Sequence, residues 1–287
     1  MRHDSLDQFL STHSGLLAKG PVALIFLEDR VEVDSTLRHT LSRGFAQVLA
    51  FSRQGIEIAP DIAPRVHHIT LDMMADHPVP TTVNRIIEEA PGTWLHYGFN
   101  GEYLFHPFCE ARTVGEMIAF VNEERRDSIL CFVVDLYAGD LETNPNAVSL
   151  DDAWLDRTGY YALARTDEWD NPIDRQMDFF GGLRWRFEEL IPESRRRIDR
   201  VALFKAKPGL KLLPDHRMTD PEYNTYSCPW HHSPTAAVAS FRSAKALKRN
   251  PGSSFDIQQF RWRNSAPFSW SSQQLLDLGL MEPGQWF

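Results

Sequence analysis

The sequence has few cysteines and no long apolar run, and these two shortages exclude several protein classes. Its three cysteines lie at spacings that match neither a disulfide framework nor a CxxC metal site, which favours a reducing, cytoplasmic setting. No stretch approaches the roughly 18 apolar residues that a membrane-spanning helix needs, and the N-terminal residues contain no long apolar core. We therefore predict neither secretion nor a membrane span.

Basic residues are also scarce relative to acidic ones. The chain has 30 lysines and arginines against 39 aspartates and glutamates, which gives a formal net charge of -9. Phosphate backbones and anionic lipid surfaces attract clustered lysine and arginine. The composition therefore argues against a nucleic-acid partner and against general binding to anionic membranes.

Three local signatures of common enzyme classes are missing from the sequence. It contains no GxSxG nucleophile elbow, no GxxxxGK[ST] phosphate loop and no GxGxxG dinucleotide turn. Serine hydrolases, phosphate-loop kinases and nicotinamide dehydrogenases are thereby disfavoured.

What is present is a chain of 287 residues, 43% of them hydrophobic, which is enough for a large core. An apolar run at Pro21–Arg30 predicts a strand, and Ser35–Gly44 predicts a helix with Ser35 as its N-cap and a glycine at its end. Phe45–Gly55 predicts a second strand. Strand, helix and strand make a βαβ unit, for which a right-handed crossover in a parallel sheet is the default.

The same alternation continues to about Asp140, and polar, proline-rich and glycine-rich loops replace it afterwards. A late strand at Arg200–Gly209 and a serine-capped helix that ends at Gly279 are the regular elements predicted after Asp140. The other predicted elements are strands at Arg65–Met73, Thr93–Pro107 and Ser128–Asp140 and helices at Thr81–Pro91 and Thr113–Arg126. The fold class is therefore α/β, with an open, mostly parallel sheet flanked by helices and a loop-rich C-terminal region.

Five segments from residue 133 onward carry a resemblance to a known family. They are VVDLYAGD (Val133–Asp140), LDRTGYY (Leu155–Tyr161), FFGGLRWRFEELIP (Phe179–Pro192), KAKPGLKLLPDH (Lys205–His216) and QQLLDLGLM (Gln273–Met281). In this order they resemble the family 2 type glycosyltransferases of the GT-A fold, in the bacterial branch with a GG-x-R-x-R segment.

The resemblance implies transfer of a sugar from a UDP- or GDP-linked donor to a hydroxyl of a carbohydrate acceptor, usually with Mg²⁺ or Mn²⁺. It implies a nucleotide-sugar-binding half at residues 1–140 and an acceptor-side half of the same GT-A domain at residues 141–287. The biological setting that it implies is the assembly of surface polysaccharides or glycoconjugates.

The sequence departs from the family at the DxD motif that holds the metal. When Glu102 is aligned with the family's Glu-Phe-Leu segment, Phe99 and Gly101 occupy the two aspartate positions. A hard dication prefers several oxygen ligands, and Glu102 with the amide of Asn100 offers fewer. His216 is the imidazole that still matches the family as a ligand for metal or diphosphate.

The resemblance and the strand ends together define a predicted site. Glu28 and Arg53 follow the first two strands, and Arg184 and Lys207 could offset the diphosphate charge in place of a metal. Asp178 lies where the acceptor base is expected. The predicted set is Asp178 as catalytic base, Glu28, Arg53, Asn100, Glu102, Arg184 and Lys207 for the nucleotide-sugar, and Glu102 and His216 for a metal.

Several of these residues also have a structural alternative. Glu102 and Asp178 could cap turns, and His216 could be an ordinary loop residue. Arg184 and Arg186 would share one face of a strand and contact phosphate, or they could form structural ion pairs. Two functions therefore remain open: a metal-independent sugar transferase, and a non-catalytic GT-A protein that binds a sugar, a nucleotide or a protein partner.

Overall fold

The computed structural model describes residues 1–286, which form two compact units. The first unit consists of Met1–Leu104, Ala111–Leu130 and Val201–Asn224. The second consists of Phe105–Glu110, Cys131–Arg200 and residues 225–286. Both units contain residues from before and after position 140.

The strands and helices of residues 1–286 have the following bounds. The strands are β1 (Arg2–His3), β2 (Val22–Leu27), β3 (Gln47–Ser52), β4 (His67–Thr70), β5 (Trp94–Phe99), β6 (Glu102–Phe105), β7 (Ser128–Ala138), β8 (Ala153–Asp156), β9 (Tyr161–Thr166), β10 (Pro172–Phe180), β11 (Asp199–Lys205), β12 (Ala236–Ser240) and β13 (Ser265–Pro267). The α-helices are α1 (Leu6–His13), α2 (Val33–Ser42), α3 (Pro78–Glu89), α4 (Val114–Glu123), α5 (Gly182–Arg186), α6 (Arg242–Arg249), α7 (Pro251–Ser254) and α8 (Ser272–Asp277).

The first unit contains a mixed, mostly parallel sheet flanked by helices. Strands β1, β4, β3, β2 and β5 pair in that order and run parallel, and β11 pairs antiparallel with β5. All six residues of β2 are buried, as expected for a parallel strand that is covered on both faces. The predictions of an α/β class and of a parallel βαβ unit at β2, α2 and β3 are confirmed.

The predicted N-cap of α2 is wrong by three residues. The helix begins at Val33, and its N-cap position is Glu32, which adopts a left-handed backbone conformation with φ 55°. The hydroxyl of Ser35 does not cap the helix but donates to the Glu32 carboxylate at 2.5 Å. Serine is a much commoner N-cap than glutamate, so the sequence favoured the wrong residue.

The second unit contains more regular structure than the loop-rich prediction allowed. In it β7 pairs parallel with β12 and antiparallel with β8, and β8 pairs with β13. Strands β9 and β10 form a separate antiparallel pair with a register shift between Pro172 and Met177. The hydrophobic core of this unit includes the buried residues Tyr137, Leu141, Leu183, Leu247, Ile257 and Phe260.

Among residues 1–286, no helix is both long and apolar enough to cross a membrane.

A cluster of three histidines and one phenylalanine attaches β1 and α1 to β4. The imidazoles of His3 and His67 are joined at 3.1 Å, and the rings of His13 and Phe9 pack against both at centroid distances of 5.1 to 5.5 Å. Burial, followed by repulsion from His3, lowers the pKa of His67 to about 4. Burial and repulsion from His13 also lower the pKa of His3.

We expect the first unit to lose stability in mild acid because of this cluster. The unfolded chain binds a proton at His67 near pH 6.5, whereas the folded chain does so near pH 4. Above pH 6.5 His67 is neutral in both states and does not lower the free energy of unfolding. As the pH falls towards 4, the unfolded chain takes up the proton first, so the free energy of unfolding falls by roughly 1–2 kcal/mol after solvent screening. Urea unfolding at pH 7.0 and pH 5.0 measures this loss, which should shrink in His67→Asn and persist in the exposed control His77→Asn. If the free energy of unfolding fell equally between pH 7.0 and pH 5.0 in both variants, His67 would not be the cause of the loss.

Candidate functional site

The carboxyl edge of the sheet in the first unit contains a cavity of about 410 Å³. The order of the parallel strands reverses between β2 and β5. Doubly wound sheets bind ligands outside the carboxyl ends of their strands, and this cavity lies at that edge, one strand to the side of the reversal. The loops that follow β2 and β3, with the first turn of α2, form the walls. The lining residues are Arg30, Glu32, Val33, Asp34, Ser35, Gly55 and Glu57.

Hydrogen bonds hold the two loops in place around this cavity. The Arg30 guanidinium donates to the carbonyl of Gly55 at 3.0 Å. Gly55 has φ 87°, a conformation that residues other than glycine rarely adopt. The Asp34 carboxylate accepts from the backbone N–H of Ala59 at 2.8 Å. Hydrogen bonds within the protein therefore hold the walls of the cavity.

The side chains around the cavity suit the two ends of a nucleotide. Glu32, Asp34 and Glu57 supply carboxylates, and Arg30 supplies a guanidinium. Carboxylates at a strand end accept hydrogen bonds from ribose hydroxyls in doubly wound sheets, and a guanidinium pairs with phosphate oxygens through two parallel hydrogen bonds. The hydroxyl of Ser35 is held between Glu32 and Tyr103 at 2.5 and 2.9 Å.

Asn100 is fully buried beside the loop that follows β2, and its side chain holds that loop. Its amide oxygen accepts from the backbone N–H of Glu28 at 2.8 Å. Its amide nitrogen donates to the Asp29 carboxylate at 2.8 Å and to the Val31 carbonyl at 2.7 Å. This predicted ligand residue therefore links the ends of β2 and β5.

Glu102 lies at the start of β6 and is also buried. Its carboxylate accepts from the backbone N–H of Phe99 at 3.1 Å. A Cβ atom added to Gly98 would lie 3.3 Å from the imidazole of His96 and 3.5 Å from this carboxylate, so the glutamate packs against β5. The hydrogen bond to Phe99 closes the turn between β5 and β6.

The residues at the DxD positions do not fit a divalent-metal clamp. Phe99 and Gly101 have no side-chain oxygen, and the oxygen of Asn100 is hydrogen-bonded to Glu28. In residues 1–286, neither Glu102 nor His216 belongs to a group of three or more acidic, histidine or cysteine ligand atoms within 4.8 Å of one another.

The other predicted residues of the first unit have the following surroundings. Glu28 is half-buried and Arg53 is exposed at the ends of β2 and β3, next to the lining residues but not among them. Lys207 forms an ion pair with Asp220. The His216 imidazole is hydrogen-bonded to the hydroxyl of Tyr97 at 3.0 Å.

Asp178, the predicted base, lies on β10 in the second unit and is held by two arginines. Arg165 and Arg197 donate to its carboxylate at 2.7 and 2.9 Å. Burial raises the pKa of Asp178, but the hydrogen bonds from these arginines outweigh it and leave that pKa below its ordinary value. A carboxylate held in its charged form is a weak base, because it releases a captured proton readily.

The GG-x-R-x-R segment lies in the short helix α5, so Arg184 and Arg186 do not share a strand face. The Arg184 guanidinium lies 3.3 Å from the Asp135 carboxylate and donates to the Arg197 carbonyl at 2.7 Å. Burial raises the pKa of Asp135 although Arg184 opposes this effect. Gly182 has φ 61°, and a Cβ atom there would lie 3.1 Å from Asp135, which explains the second glycine.

Arg186 has the same kind of role beside the buried Asp156 of β8. It contacts both oxygens of the Asp156 carboxylate at 3.1 Å and donates to the Phe260 carbonyl at 2.7 Å. Each of the two arginines of the motif therefore forms an ion pair, which was the structural alternative to phosphate contact. The motif joins α5 to β7 and β8.

The residues that line the cavity were not in the predicted set. The sequence does give a signal for them, because they follow the same two strand ends as Glu28 and Arg53. It does not tell which residues of a loop face a cavity, since that depends on anchors such as the contact between Arg30 and Gly55.

The sequence was compared with protein-family models and with curated proteins. No protein-family model matches the chain, and no curated protein matches it.

Proposed function

We propose that this protein is a GT-A type glycosyltransferase that binds a nucleotide-linked sugar at the carboxyl edge of its parallel sheet, without a DxD metal clamp. The observation that carries the proposal is the cavity between the loops after β2 and β3. It lies at the carboxyl edge of the sheet, which is the edge at which doubly wound sheets bind ligands. The family resemblance of the sequence points to the same class of ligand.

The charges of the lining residues orient the nucleotide: the three carboxylates repel its diphosphate and accept from its hydroxyls, so the phosphates lie at Arg30. The ribose hydroxyls donate to the carboxylates of Glu32 and Asp34, and the diphosphate pairs with Arg30. Arg53 is exposed after β3, two residues before the lining residue Gly55. In the transfer, the bond between the sugar and the diphosphate breaks and a bond from the sugar to the acceptor oxygen forms. The acceptor hydroxyl loses its proton, and a nucleoside diphosphate leaves.

A second candidate is a GT-A protein that binds the same ligand without catalysis. The surroundings of three predicted residues favour it. Asn100 and Glu102 hold the chain around the β5–β6 turn, and Asp178 is kept charged by two arginines. Binding is common to both candidates, and release of a nucleoside diphosphate distinguishes them.

Thermal unfolding with nucleotides tests the proposal. A ligand that binds only the folded state raises the midpoint by mass action, so we expect UDP or GDP to raise it without added Mn²⁺. Arg30→Ala should weaken this nucleotide binding at least tenfold, since a hydrogen bond to a charged group contributes about 1.5–3 kcal/mol. Arg65→Ala replaces an exposed arginine of the same unit outside the cavity, and it should bind as the unaltered protein does.

Two outcomes would count against this proposal. If UDP, GDP and CMP leave the midpoint unchanged with and without Mn²⁺, the protein does not bind nucleotides and both candidates fail. If nucleotides bind but no UDP or GDP is released from their sugar conjugates in the presence of acceptors, the non-catalytic candidate is correct.

A further inference from the structure

The second unit contains an open cleft of about 470 Å³ that the nucleotide proposal does not use. Two tryptophans, one on α5 and one shortly before β13, form its aromatic part. We refer to it as the tryptophan cleft. Its lining residues are Trp185, Arg186, Phe187, Glu188, Glu189 and Trp262.

Both indole rings of the tryptophan cleft are held in fixed positions. The Trp262 ring donates its N–H to the Asp156 carboxylate at 2.7 Å, and the Arg186 guanidinium lies 4.8 Å from the ring centroid. Trp185 lies against Gly159, where an added Cβ atom would come within 2.8 Å of its ring. The Trp185 side chain is nevertheless 39% exposed. The cleft thus presents a large aromatic surface that is already ordered before a ligand binds.

The charges of the cleft oppose an anionic ligand. The Arg186 guanidinium is engaged by the Asp156 carboxylate and the Phe260 carbonyl. Glu188 and Glu189 are exposed, so the rim adds two carboxylates. Carboxylates accept hydrogen bonds from hydroxyl groups but repel phosphate, sulfate and uronate groups.

We propose that the tryptophan cleft binds a neutral pyranose glycan. The face of a pyranose ring that carries C–H groups is apolar and packs on an aromatic ring, while its equatorial hydroxyls point outward and donate to carboxylates. Trp185 supplies the aromatic surface, and Glu188 and Glu189 supply the acceptors. The cleft can bind a glycan whether or not the protein transfers sugars; its assignment as the acceptor site rests on the proposed function.

Titration calorimetry with neutral hexasaccharides of glucose, mannose and N-acetylglucosamine tests this inference without any nucleotide. We expect at least one of them to bind, and Trp185→Ala to weaken that binding at least tenfold. Trp185→Phe keeps an aromatic face and should bind within threefold of the unaltered protein. Trp169→Ala is the matched control, because Trp169 is 73% exposed in the same unit but outside the cleft, and it should leave the affinity unchanged.

Three results would overturn the inference: no binding of any neutral hexasaccharide, equal affinity in Trp185→Ala, or tighter binding of a hyaluronan hexasaccharide than of the neutral ones. If Trp185→Ala does not fold, Glu188→Ala tests the same cleft, because Glu188 is exposed and loss of its acceptor carboxylate should also weaken binding. A failure here leaves nucleotide binding at the first unit intact, and a failure of nucleotide binding leaves this titration unaffected.

Discussion

Replacing Asp156 with alanine should lower the free energy of unfolding by about 3–5 kcal/mol, which is the cost of leaving a buried ion-pair partner uncompensated. The Asp156 side chain is 1% exposed. It accepts from the hydroxyl of Tyr137 at 2.5 Å, from the indole of Trp262 at 2.7 Å and from Arg186 at 3.1 Å. Alanine would leave all three donors without this acceptor.

Urea unfolding of the protein and of two aspartate variants measures this effect. Asp156→Asn keeps the shape and one acceptor oxygen, so its loss should be smaller than that of Asp156→Ala. Asp256→Ala replaces an exposed aspartate of the same unit and should change the free energy of unfolding by no more than about 0.5 kcal/mol. If Asp156→Ala cost no more than Asp256→Ala, Asp156 would not hold α5 and Trp262 in place.

Replacing Asn100 with alanine should both destabilise the protein and weaken nucleotide binding. The change removes hydrogen bonds to Glu28, Asp29 and Val31 at 2.7 to 2.8 Å. Buried groups that lose their partners cost about 1–3 kcal/mol each, so we expect a loss of about 2–4 kcal/mol in urea unfolding. The loop after β2 forms one wall of the cavity, so the stabilisation by UDP or GDP should fall as well.

Asn100→Asp separates this role from metal binding. An aspartate would place an oxygen against the Asp29 carboxylate and the Val31 carbonyl, where Asn100 now donates. We therefore expect Asn100→Asp to be at least as unstable as Asn100→Ala and to gain no affinity for Mn²⁺. If it bound Mn²⁺ and nucleotide together more tightly than the unaltered protein, position 100 would face the ligand and the assignment of Asn100 as a loop anchor would be wrong.

The central strands β2, β3 and β5 of the first unit could be predicted because they are mostly apolar and almost fully buried. The pair β9 and β10 was missed because β9 is largely exposed, as at Tyr161 and Leu163, and β10 is largely half-buried, so no buried apolar run marks either strand. The sequence alone did not show whether Arg184 and Arg186 contact phosphate or form structural ion pairs. Their partners Asp135 and Asp156 are 49 and 30 residues away along the chain.

The position of the candidate site was predictable, but its lining was not. Strand ends near Glu28 and Arg53 follow from the alternation of strands and helices, and the cavity lies at those loops. The inward hydrogen bonds of Asn100 and Glu102 depend on the β5–β6 turn, where Gly101 has φ 75°. Local sequence does not tell whether an amide or carboxylate at such a turn points to a ligand or back to the chain.

The position of a nucleotide bound to the crystallised protein tests the central claim most directly. Crystals soaked with UDP and with GDP, without added metal, should show one of them in the cavity between the loops after β2 and β3. Its ribose should lie at Glu32 and Asp34, and its phosphates at Arg30. Density for the nucleotide at any other place, or no binding of either nucleotide in the crystal and in solution, would contradict the account.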